Sequence, residues 1–229
     1  MRPELVVTID GPAGAGKTTI ARLVAGKLDG FRYLDTGAMY RAVTAYLLKF
    51  DKLNASEETM AEVARTLVLE GDRILMAGED VTGMIRTPEV TGKVSRISAF
   101  PRVRRVIQEK QRDQEGRLVV EGRDIGSVVY PDAQVKIYLN ASLDERARRR
   151  HEENPVQPSD EVKRSIAERD GLDSSRADSP LVKPDDAHEI DTTALTIEQV
   201  GERVLELVRR VLKQGDASGD PEGRGKAPA

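Results

Sequence analysis

Leu5, Val6, Val7 and Ile9 form a short apolar, β-branched run that predicts a strand buried on both faces. A glycine-rich loop follows, and residues 18–28 then carry helical spacing. A second helix is predicted over 35–49, where Met39, Tyr40, Val43, Tyr46 and Leu47 share one face. Ser56 followed by Glu57 and Glu58 marks another helix start, running to about residue 69. Between 71 and 90 the pattern shortens, with Gly71, Gly78 and Gly83 as punctuation, which predicts small strands or a hairpin. Pro101 opens a helix to about residue 114. The runs 118–120 and 135–139 predict further strands.

Ser142 with Glu145 makes a capping box for a helix carrying Arg146, Arg148, Arg149 and Arg150. A loop with two prolines follows, then a helix from Ser159 to about Asp170. Residues 174–186 read as irregular, and Glu189, Ile190 and Asp191 as a last short strand. Thr196 with Gln199 caps a final helix ending near Gly215. Beyond it no large apolar residue occurs, so residues 215–229 are expected to form a disordered tail. Strands alternating with helices imply an α/β fold whose parallel sheet is covered on both faces. Residues 55–115 break the alternation and read as an inserted subdomain. A single domain over 1–214 is the expectation, with its core in about 1–54 and 116–214.

Composition narrows the chemistry. The 229 residues contain no cysteine and two histidines, His151 and His188. Disulfides, thiolate nucleophiles and cysteine- or multi-histidine metal sites are therefore excluded. There is no run of 18 apolar residues, and no signal peptide fits the first residues. The expectation is a cytoplasmic monomer with no membrane partner. A net charge of −3 argues against a nucleic-acid coat. Arginines nonetheless outnumber lysines 25 to 11. The planar guanidinium suits bidentate contact with phosphate, so clustering beside motifs is informative.

Gly11-Pro12-Ala13-Gly14-Ala15-Gly16-Lys17-Thr18 matches G-x-x-x-x-G-K-[ST] without mismatch, between a predicted strand and a predicted helix. Such a loop curls its backbone N–H groups around phosphate oxygens. Lys17 is placed for the β- and γ-phosphates and the Thr18 hydroxyl for Mg²⁺. This implies ATP or GTP with Mg²⁺, but not the acceptor. Downstream, Asp35, Thr36 and Arg41 stand at the head of the second helix, where the dipole favours an anion; an ordinary N-cap would also explain Asp35. Ser95, Arg102 and Arg104 surround Ala99-Phe100-Pro101. Arg123 and Asp124 directly follow a predicted strand, where open parallel sheets bind ligands. Arg146 with Arg149 or Arg150 shares a helix face. That helix is either a solvated surface or a lid that carries arginines over the transferring phosphate. Arg169 and Arg176 flank Asp173.

These stretches together, GPAGAGKTT (11–19), LDTGAMYR (34–41), SRISAFPRVR (95–104), EGRDIGSVVYPDA (121–133), ERARRR (145–150), ERDGLDSSRADSPL (168–181) and AHEIDTTALTIEQV (187–200), resemble the bacterial cytidylate kinases of the nucleoside monophosphate kinase group. The resemblance spans about residues 4–212. It implies the P-loop nucleoside monophosphate kinase fold with an enlarged monophosphate-binding insert at about 55–115 and a short lid at about 146–160. It implies transfer from ATP to CMP or dCMP, and an ATP site over residues 11–19, ending at Thr19. Arg41 and Arg123 then resemble clamps on the acceptor phosphate. Ser95, Arg104 and Asp124 resemble readers of the cytosine edge, and Arg169 and Asp173 the contacts to the sugar. Thr36 and Arg176 complete the substrate set. Arg146, Arg149 and Arg150 resemble the lid arginines. Thr36 stands where serine is common and keeps the hydroxyl. Asp10, Asp35 and Glu121 are candidates for a second, water-mediated Mg²⁺ carboxylate. The rival readings are a kinase for UMP, TMP or shikimate, a nucleotide switch, or an RNA-binding module. A switch of the GTPase type would carry Asn-Lys-x-Asp, which does not occur, and three Phe with five Tyr offer little to stack RNA bases.

Overall fold

The computed structural model describes residues 3–153, 155 and 158–217. Five strands make one sheet: β1 (Leu5–Asp10), β2 (Phe31–Asp35), β6 (Arg117–Glu121), β7 (Val135–Asn140) and β8 (His188–Asp191), in the order β2-β6-β1-β7-β8. Every pairing is parallel, with Val7 opposite Val119 on one side and Val135 on the other. Strands β3 (Leu67–Glu70), β4 (Arg73–Met76) and β5 (Glu79–Asp80) form a separate antiparallel sheet.

The pleat sorts the core. Val7 and Ile9 of β1 and Val119 of β6 face α1 (Lys17–Lys27) and α8 (Ile197–Ala217), packing with Ile20, Val24, Val204 and Val208. Their neighbours Val6, Leu118 and Val120 face the opposite way, onto Ile125, Val129 and Tyr130. A third cluster joins α2 (Thr36–Lys49), α3 (Glu57–Arg65), α4 (Pro88–Ile97) and α5 (Pro101–Arg112) around Met39, Leu47, Met60, Ile97 and Ile107. Helices α6 (Leu143–Glu153) and α7 (Ser159–Ser174) pack on each other around Ala147, Val162 and Ile166. Among the described residues no helix is long and apolar enough to cross a membrane.

The structure departs from the sequence expectations at several places. Strand β2 was not expected: its five residues mix charge with apolar bulk, because it is an edge strand whose only neighbour is β6. The helix expected to about residue 69 stops at Arg65, and residues 67–70 pair with β4 instead. The short strands expected over 71–90 are present as β4 and β5, but α4, where no helix was expected, begins at Pro88 and runs on to Ile97, with Thr87 as its cap. Helix α7 runs on to Ser174. The Ser142 box is only half formed: Ser142 Oγ accepts from Glu145 N–H at 3.2 Å, but the Ser142 N–H donates to Thr193. The Thr196–Gln199 box is reciprocal. Residues 215–217 of the expected tail continue α8, and 218–229 lie outside the described residues, as do 154, 156 and 157 of the expected lid.

Gly11, just after β1, has φ +143°, and a Cβ there would lie 2.0 Å from the Leu139 carbonyl oxygen. The phosphate loop therefore leaves the sheet pressed against β7, which only glycine allows. Farther from the cleft, Ile107 is fully buried in the third cluster. Ile107→Ala should lower unfolding free energy by about 2–5 kcal/mol in urea denaturation with an unchanged m-value.

Candidate active site

The carboxyl ends of β1 and β6 open into a cleft of about 1180 Å³. It is lined by the phosphate loop from Ala13 through Thr19, and by Arg41, Ser95, Arg123, Arg149, Arg150 and Arg169, all expected from the sequence. Thr36, Arg104, Asp124, Arg146, Asp173 and Arg176 lie behind this lining. Lys17 is buried, and its Nζ donates to the Pro12 carbonyl at 2.7 Å. Burial and the nearby Arg123 charge push the Lys17 ammonium well below its ordinary value.

Around the acceptor side, Arg41 Nη1 donates to Thr91 Oγ1 at 2.9 Å and to the Ile85 carbonyl at 3.4 Å. Burial and Arg86 push its guanidinium down to about 10. Arg123 Nε donates to Asp173 Oδ2 at 2.9 Å. Arg169 is pushed to about 9 by burial and by Arg123, and its buried Nε has no hydrogen-bond partner among the described residues. Arg176 Nε donates to the Asp173 carbonyl, and its Nη2 lies 3.6 Å from Asp173 Oδ1. Burial pushes Asp173 up, but Arg123, Arg176 and Arg169 outweigh it and hold the carboxyl below its usual range. The result is a group of cations with unspent donors, of the kind that binds an anion tightly.

Arg104 and Asp124 face each other rather than the cleft. Arg104 Nη2 donates to Asp124 Oδ2 at 2.5 Å and Nη1 to the Ser98 carbonyl at 3.1 Å, with Arg104 only 1% exposed. Gln108 bridges Asp124 and Ser179. Thr36 Oγ1 donates to the Glu121 carbonyl at 2.5 Å. On α6, Arg149 donates to Glu145 and to the Thr192 hydroxyl and carbonyl, while Arg150 pairs with Glu153. The hydrogen bond from Arg148, against the opposing effect of burial and with help from Arg149, holds Glu145 at about 2. Arg146 instead faces inward: it donates to the Ala141 and Ala13 carbonyls and to Asp170.

Some site residues escaped the sequence reading. Arg86 lines the cleft and pairs with Asp35 at 2.7 Å. Thr91 and Thr192 each hold a lining arginine. These are ordinary residue types whose partners are 43 to 51 positions away, so no local spacing announces them. Asp10 is fully buried and accepts from the Ile125 and Gly126 N–H groups at 2.9 and 2.7 Å. It thereby holds the π-helical turn Ile125–Val129 that follows Asp124. Burial raises Asp10 to about 6 despite those two bonds.

Of the metal-ligand candidates, Thr18, Asp35 and Glu121 line the cleft and Asp10 does not. Asp35 caps α2 and pairs with Arg86, and Glu121 accepts from the Tyr33 hydroxyl at 2.5 Å. Among the described residues no three acidic or histidine side chains are grouped to hold a metal. These hard oxygen donors fit a Mg²⁺ that arrives with nucleotide phosphates and keeps most of its water, rather than one in a protein cage.

The family model described as cytidylate kinase matches residues 7–210. The cytidylate kinase of Caldanaerobacter subterraneus subsp. tengcongensis is 50% identical over 215 residues, covering 90% of this chain and 96% of its own. That of Carboxydothermus hydrogenoformans is 47% identical over 217 residues (89% and 97%). That of Listeria monocytogenes serovar 1/2a is 44% identical over 218 residues (90% and 97%).

Two stability measurements follow from these buried charges. Arg104→Met strands the Asp124 carboxylate and should cost about 3–5 kcal/mol in chemical denaturation; adding Asp124→Leu should recover more than half. Asp10 ionises more easily unfolded, at 3.8, than folded, at about 6. Its contribution therefore falls as pH rises between those values. Relative to Asp10→Asn, the wild type should lose about 2 kcal/mol between pH 4 and pH 7. A pH-independent gap between the two proteins would contradict the assignment.

Proposed function

The chain belongs to the cytidylate kinase family, and from that premise we propose that it transfers the γ-phosphoryl group of MgATP to CMP or dCMP, releasing ADP and CDP or dCDP. The observation that carries the reading is one cleft holding both a complete phosphate loop and a separate group of arginines with unspent donors. Two phosphate sites side by side suit a phosphoryl donor and a phosphoryl acceptor.

In this reading the backbone amides of residues 14–19 and the Lys17 ammonium hold the donor phosphates. Thr18, with Glu121 or Asp35 through water, would hold Mg²⁺, which supplies charge neutralisation on the donor phosphates. Arg41 and Arg123 clamp the acceptor phosphate, and Arg169 contributes the unpartnered Nε noted above. Thr36 braces the end of β6 beside them. Ser95 reaches the base from α4; Arg104 and Asp124, locked to each other and away from the cleft, hold the wall on that side rigid. Asp173 and Arg176 keep Arg123 and Arg169 in place and border the sugar. Arg149 and Arg150 bring charge to the transferring group from the lid, and Arg146 steadies the loop beneath. The acceptor oxygen is already anionic, so no protein base is required. Catalysis is positioning and charge stabilisation. The same reading assigns residues 55–115 to acceptor binding and about 146–160 to the lid.

The deciding assay is coupled ADP release across CMP, dCMP, UMP, AMP and TMP at low acceptor concentration, with shikimate as a further acceptor. CMP or dCMP should give the highest kcat/KM; a higher value with any other acceptor rejects the proposal. Lys17→Ala should lower kcat at least ~10²-fold, and Arg123→Ala should lower kcat/KM for CMP by a similar factor.

A further inference from the structure

The phosphate loop is gripped from outside the cleft as well as from within. The Pro12–Ala13 peptide unit is held at both ends. Its carbonyl accepts from Lys17 Nζ at 2.7 Å, and its N–H donates to Asp170 Oδ1 at 3.0 Å. Asp170 sits on α7, does not line the cleft, and is 157 positions from Ala13 in sequence. Its other carboxylate oxygen accepts from Arg146 Nη1, which also donates to the Ala13 carbonyl at 3.0 Å. The loop lies tight on α6 here: a Cβ on Gly14, at φ +79°, would come within 3.0 Å of Arg146 Cβ. Ala13 itself packs with Ala147, Val162 and Ile166.

A peptide unit can present its carbonyl or its N–H to the cleft, and a flip exchanges the two. With a carboxylate outside and an ammonium inside, only one orientation satisfies both charges. We propose that Asp170 is a positioning residue for Lys17, acting through the Pro12–Ala13 peptide: it fixes the carbonyl toward the cleft as the acceptor that places the Lys17 ammonium. Without Asp170, the Ala13 N–H loses its partner, and the orientation with the N–H facing inward sets a donor against Lys17. The neighbouring residues of α7 serve the acceptor side, since Arg169 lines the cleft and Asp173 pairs with Arg123. Asp170 is the residue of that helix whose carboxylate accepts from the donor loop, beside the apolar contacts of Val162 and Ile166 with Ala13.

This rests on the kinase reading above, but its first readout, MgATP binding, needs no acceptor. MgATP and CMP binding to the unliganded full chain are measured separately by calorimetry for wild type, Asp170→Ala and Asp170→Asn, together with kcat. Asp170→Ala should weaken MgATP binding and lower kcat by ~10- to 100-fold, with CMP binding within ~3-fold. Asp170→Asn cannot satisfy both Ala13 N–H and Arg146, so it should lose ~10-fold on the same two quantities, and it decides the matter if the alanine variant does not fold. MgATP binding and kcat within twofold of wild type in the folded variants overturns the proposal. So does a loss of CMP binding equal to the loss of MgATP binding, which would make Asp170 only an anchor for α7. A wild type that binds MgATP yet phosphorylates no CMP would refute the kinase reading instead.

Discussion

Like charges held close together are the constraint on which the rest of the site depends. Lys17, Arg41 and Arg169 are each depressed by burial first and then by another cation of the same group, Arg123 for Lys17 and Arg169 and Arg86 for Arg41. Such a cluster would spread apart if its members were free. Three cations are instead tied back: Lys17 to Pro12, Arg41 to Thr91 and Ile85, and Arg123 to Asp173. Asp173 is buried and does not line the cleft, so it counters the repulsion without filling the place an anion would take.

The sheet makes this possible. Parallel strands bring several chain segments to one edge, and the loops leaving β1 and β6 meet there. Asp10 at the end of β1 bonds the turn after Asp124, so donor and acceptor loops share one buried carboxylate. The close pass of Gly11 under β7 fixes the depth of the phosphate loop.

Legibility in the sequence followed the range of the interactions. The phosphate loop could be read complete because all its working parts are contiguous. The regular strands β1, β6 and β7 showed in their apolar runs. Strand β2 did not, because an edge strand needs no continuous apolar run, and α4 did not, because ten residues with three buried apolar side chains make only a short periodic stretch. Arginines were visible as candidates, but their division into lining and backing was not. Arg104 and Arg146 look no different in sequence from Arg123 and Arg149; only distant partners, Asp124 and Asp170, turn them inward. The same reason concealed Asp170, an aspartate within a polar helix.

The ion pairs of α6 differ in kind from those of the interior. Arg148 and Arg150 bond glutamates three and four residues away on the same helix, in water, where such pairs contribute little. The helix thus carries its own removable counterions. These partners are readily exchanged, whereas Arg104–Asp124 is sealed from solvent. The chain separates reversible from permanent charge pairing by depth: the surface pairs can open into water and re-form at little cost, while the buried pairs stay fixed as the frame beneath them.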